Sequence, residues 1–114
     1  MSNMSEFVLI FRRDYKTKEI QPSPEQMQDH LKHWAEWFGN LASNDLLARP
    51  VQRLDAEGRI VSKDSVNNGP YVEVKESVGG LVIIKANDYD EAVEIAESCP
   101  VLELGGSVEI RMGV

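Results

Sequence analysis

Two histidines on one predicted helix are the residues of this sequence best suited to chemistry. His30 and His33 lie three positions apart, and imidazole is the side chain that titrates nearest neutral pH, so either can serve as an acid or a base. At 100° per residue His30 falls inside the apolar arc of its helix, between Trp37 and Leu41, and must face a sheet or a cleft. It is then either a base in a cleft, the weak catalytic candidate of this chain, or a hydrogen-bonded histidine at the core's edge, which the pattern favours. His33 turns outward, towards Asp29 and Glu36. The three-residue spacing can hold a metal on a helix, but no third ligand stands nearby, and neither metal nor cofactor is expected.

A second polar group follows the turn Asn67-Asn-Gly-Pro70. Alternation along an extended chain puts Tyr71, Glu73 and Lys75 on one face. With Arg111, whose fork of donors suits carboxylates, they can line a pocket for an acidic ligand. Cross-strand ion pairs or contacts between subunits explain the same residues and are the simpler account. Trp34 and Trp37 suit packing against a sheet and also suit ligand clefts. Cys99 precedes Pro100 at a helix end, where no dipole or cation activates a thiol, and reads as packed and inert. Gly79-Gly80 and Gly105-Gly106 lack the strand–turn–helix setting of phosphate loops and read as tight turns before strands.

The elements that carry these residues follow from periodicity. Glu6–Arg12 alternates with both faces apolar, a strand. Ser23-Pro24-Glu25-Gln26 combines a cap, a proline suited to the first turn and a capping-box partner, opening a helix that runs to about Ala42. Its expected buried stripe is Met27, Leu31, Trp34, Phe38 and Leu41. Leu46–Leu54 is a strand, Asp55–Gly58 a turn, and Arg59–Val66 the strand returning alongside it. Val78–Ala86 is again apolar on both faces. Asp88 and Glu91 cap a second helix, with Ala92, Val93, Ile95, Ala96 and Cys99 on its apolar face, and Pro100 stops it. Ser107–Met112 closes the chain as a strand.

The order is β-α-β-(hairpin)-β-α-β, which predicts an α+β, ferredoxin-like βαββαβ domain: a four-stranded antiparallel sheet, both helices on one face, an extra hairpin in the middle. Two strands are apolar on both faces, yet helices cover one face only. Each such residue contributes about 1.5–3 kcal/mol when buried, so the second face calls for a cover. A second copy, sheet against sheet, is the expected cover and makes a homodimer. The alternative is the Leu54–Lys75 excursion folding back over that face.

At 114 residues, with 42% hydrophobic and 27% charged side chains, the chain is one globular domain spanning residues 1–114. Its 12 Lys and Arg against 19 Asp and Glu give a net charge of −7, which argues against nucleic acid or an anionic membrane as partner. The beginning lacks the layout of a secretory signal, apolar runs fall far short of a membrane helix, and a single cysteine suits a reducing interior. A cytoplasmic location is expected.

Taken in order, Asn68-Gly-Pro-Tyr71, Glu73-Val-Lys-Glu76, Gly79-Gly80, Asp90-Glu-Ala92, Cys99-Pro100, Gly105-Gly106 and Val108-Glu-Ile-Arg111, together with the opening strand and the Ser23-Pro24-Glu25 start, resemble the YCII-related family in its DGPF-motif branch. The resemblance implies a dimeric α/β barrel of ferredoxin-like subunits without an established reaction. It implies a suspected His–Asp pair in some members and, in the DGPF branch, sigma factors as regulatory partners. Here the motif's aspartate is Asn68, and the first-helix histidine position falls on Trp34, with His33 beside it. Both departures weaken an acid–base reading. A binding or regulatory domain is therefore favoured, with His30, Trp34, Asn68, Tyr71, Lys75 and Arg111 as ligand-binding candidates. A small cofactor-independent enzyme, acting on a small aromatic or lactone-like substrate by analogy with other dimeric α/β barrels, ranks next, and a purely structural piece last.

Overall fold

The computed structural model describes residues 4–14, 20–55, 57–69 and 77–114. Strand β1 (Ser5–Arg13) leads into helix α1 (Pro24–Ser43) and strand β2 (Leu47–Arg53). Two short strands follow, β3 (Gly58–Ser62) and β4 (Ser65–Gly69), then β5 (Ser77–Ala86), helix α2 (Tyr89–Glu97), a 3₁₀ segment (Pro100–Leu104) and β6 (Ser107–Met112). The main sheet has the order β2-β5-β1-β6 with every pairing antiparallel. That is the strand order of a split βαβ pair, and the expected α+β, ferredoxin-like architecture with an inserted hairpin is what the chain adopts.

Alternation decides which side chains enter the core. On β1 Phe7, Leu9 and Phe11 are buried, and on β5 Val82, Ile84 and Ala86 are. In register, Phe7 lies opposite Ile84 and Leu9 opposite Val82. Trp37 and Leu41 from α1, Ala92 from α2, and Cys99 and Val101 cover this face. Val8, Ile10, Leu81 and Ile83 point the other way and are half-buried.

Several expectations are corrected. Arg59–Val66 does not return alongside β2. The chain instead reverses at Lys63-Asp64, so β3 pairs with β4, while β2 pairs with β5. A two-residue connection favours local pairing, and Asn67 and Asn68 consequently lie in a strand rather than a turn. Val61 through Asn68 are exposed, so the described part of this excursion does not cover the open sheet face. Gly79-Gly80 lies inside β5, where the register with β1 slips between Phe11 and Arg12. A Cβ at Gly80 would stand 2.8 Å from the Gln52 carbonyl oxygen, so the close approach of β2 requires glycine there.

The α1 stripe is rotated from the expected one. His30, Trp37 and Leu41 are buried while Leu31 is 53% exposed. On α2 Asp88 accepts from the Glu91 amide at 2.8 Å, but the Glu91 carboxylate takes Asn87 Nδ2 instead of completing the box.

Candidate functional site

Helix α1 begins as its first four residues dictate. Ser23 Oγ accepts from the Gln26 amide at 3.2 Å and Gln26 Oε1 from the Ser23 amide at 2.9 Å, satisfying two donors that the first turn leaves unpaired. The helix then displays His30, His33, Trp34 and Phe38 at three- and four-residue steps, which sets them along one side. Facing them is the 3₁₀ segment. Gly105 ends it with φ 79°. Gly106 lets it rest on β1, since a Cβ there would meet the Arg12 carbonyl oxygen at 2.5 Å and the Val101 carbonyl oxygen at 2.8 Å. This seat presents Glu103 to both histidines.

His30 Nδ1 donates to Glu103 Oε1 at 2.6 Å, and His33 Nδ1 donates to Oε1 and Oε2 at 2.9 and 3.1 Å. On the far side of the His30 ring, Trp34 Nε1 donates to Nε2 at 2.8 Å. Indole can only donate, so Nε2 must accept and the ring proton sits on Nδ1, facing the carboxylate. Glu103, His30 and Trp34 thus form one directed chain of hydrogen bonds ending on an aromatic ring. The ring is held further by edge contacts to Phe11 and Trp37 and by a stacked contact to Phe38, with centroids 5.3 Å apart and planes 23° from parallel.

The electrostatics match. Hydrogen bonding to Glu103, and then its charge, raise the His33 pKa above the ordinary value. Burial pushes the Glu103 carboxyl upward as the largest single influence, but the hydrogen bonds from His30 and His33, with the charge of His33, outweigh it and hold the pKa low. Cys99 is pushed up to about 12, first by burial. It is an inert thiol at neutral pH, in keeping with its 2% exposure. Among the described residues no group of three His, Cys, Asp or Glu side chains is disposed to hold a metal ion.

Two concavities flank this chain of hydrogen bonds. One, of about 430 Å³, is a shallow, open trough between α1 and the end of α2 that carries Glu36, Glu97 and Glu103. The other, of about 270 Å³, is more enclosed and lies between α1 and the β2 edge of the sheet. Trp34, Phe38, Leu31 and Val51 give it apolar walls, and His30, Arg13 and Arg53 are its polar residues. Enclosure, apolar walls and a few convergent polar groups are what small ligands need, so the second is the candidate site.

Of the residues singled out from sequence, His30 and Trp34 meet at this cleft. His33 is exposed as expected, with Glu103 as its partner. Asn68 lies on the hairpin opposite Arg59. Arg111 is on the other sheet face, 71% exposed and 3.5 Å from Glu109, which Arg12 also holds. Tyr71 and Lys75 lie outside the described residues. Glu103 and Arg53 escape the sequence reading, and Arg13, which beside Arg12 reads as a solvated strand end, is buried instead. Glu103 sits in a five-residue segment too short to show periodicity, and 73 positions separate it from His30. Arg13 had a signal available, because it continues the inward alternation of Phe7, Leu9 and Phe11.

A search of curated proteins finds none that matches the chain. The family model described as the YCII-related domain matches residues 7–112. That match spans both helices, the main sheet from Phe7 onward and the cleft between them, and the chain belongs to the YCII-related family.

Proposed function

We propose that this domain binds a small molecule in the cleft between α1 and the sheet, as a homodimer, and performs no chemistry on it. The observation that carries the reading is the chain from Glu103 through His30 to Trp34. Both ring nitrogens of His30 are spent on holding an aromatic wall in place, and a histidine so engaged is a positioning residue. Rigid aromatic walls lower the ordering cost of binding. The resemblance to the DGPF branch supports a regulatory output through a sigma factor in the cytoplasm, which co-purification from cells would test.

A thermal-shift screen against a small-metabolite library tests the binding reading. A ligand that binds only the folded state raises the midpoint with its occupancy. At least one compound is expected to stabilise the wild type and to lose its effect in Trp34→Leu. A screen in which nothing moves the midpoint would count against a pocket and turn attention to protein partners.

An enzyme is the second reading, favoured by one observation: a histidine paired with a carboxylate at a cleft wall. A stabilising compound recovered unchanged after prolonged incubation supports binding. Conversion of that compound, abolished in His30→Gln, would replace binding with catalysis.

A further inference from the structure

The geometry points to a small planar carboxylate as the ligand of this cleft, an inference that rests on the reading of the cleft as a binding site. The charges are the first argument. The chain carries 12 basic against 19 acidic residues, yet the charged side chains lining the cleft are Arg13 and Arg53, and among the described residues no carboxylate lines it. A guanidinium at the rim, with a second deeper in the cleft, gives an anion charged donors to meet.

The placement of the two arginines is the second. Arg13 ends the inward-facing row of β1 and is only 8% exposed. Its five donors allow it to serve protein partners and a ligand oxygen together. Directly opposite it in register stands Ser77, whose buried hydroxyl has no hydrogen-bond partner among the described residues. Arg53 lies opposite Gly80 on edge strand β2 and is exposed. One guanidinium is deep and one is at the rim, an arrangement that suits a carboxylate entering from the edge.

The shape is the third. Trp34 and Phe38 both line the cleft and stack on one another, and Leu31 and Val51, 53% and 36% exposed, stand at the mouth. About 270 Å³ takes one or two fused rings. A flat apolar body against the wall, with its carboxylate towards the arginines, uses every one of these features.

The test is isothermal titration of the wild-type protein with 2-naphthoate and with 2-naphthamide, which differ in charge and scarcely in shape. Naphthoate is expected to bind about tenfold or more tightly, as a charge-assisted pair allows. Arg53→Gln should narrow that preference, and its exposed position leaves the fold intact. Equal affinity for the two probes would overturn the carboxylate assignment while leaving the cleft a binding site. If neither probe binds and no neutral compound shifts the thermal midpoint, the binding reading falls with it.

Discussion

Glu103 takes hydrogen bonds from two histidines, and that arrangement makes a pH prediction with a definite sign. The folded pKa of His33 lies above its ordinary 6.5, so its contribution to stability is full below that value and fades as pH rises through the folded pKa. The folded pKa of Glu103 lies below its ordinary 4.5. Its contribution is full above that value and fades as pH falls through the folded pKa. The stability difference between wild type and Glu103→Gln should therefore be largest between about pH 4.5 and 6.5 and shrink on either side. Urea midpoints measured across pH check this, and a difference that stays flat from pH 3 to 9 would remove the pairing from the account. Both groups are substantially exposed, so salt should diminish the effect.

The same residues show how far the sequence could be read. The burial of His30 is legible from its helical angle, because Trp37 and Leu41 fix the inward arc. Its partner is not, because pairing across 73 positions depends on where a short 3₁₀ segment comes to rest. Strand β6 and the start of α1 are legible from alternation and from four residues of capping chemistry. The hairpin is not legible because Asp55-Ala-Glu-Gly58 and Asn67-Asn-Gly-Pro70 carry stronger turn signals than Lys63-Asp64, although it is Lys63-Asp64 that reverses the chain between β3 and β4.

Among the elements, the 3₁₀ segment matters most to the site, since it alone carries Glu103. Gly106 is its point of closest approach, with two backbone oxygens inside the distance a Cβ needs. Gly106→Ala should cost about 1–3 kcal/mol, as other overpacked sites do. Because the segment must then shift from β1, the two histidine hydrogen bonds should weaken as well. Urea denaturation reads the first effect, and the His33 titration followed by NMR reads the second. A variant with wild-type stability and an unchanged His33 titration would show that the segment yields without consequence.

At the scale of the molecule, the sheet face turned away from the helices sets the remaining question. Ile10 lies opposite Leu81 and Val8 opposite Ile83 in register. As β1 and β5 are the central strands, these four side chains form a stripe along the middle of that face. Arg12, Glu109 and Arg111 flank it on the β6 side through charge-assisted bonds. An apolar stripe with charged borders is the layout of a protein–protein interface. A two-fold axis through the stripe would set it against its own copy, apolar to apolar, with the arginine–glutamate pairs at the rim. The prediction is that light scattering gives twice the chain mass of 12.8 kDa at micromolar concentration and that Ile10→Lys with Leu81→Glu gives the monomer. Those side chains point away from the helices, so the double variant should keep its helical circular dichroism, which separates loss of association from loss of fold. A wild type that remains monomeric as concentration rises would mean that the half-buried stripe is tolerated in water, its borders shielding it within a single chain.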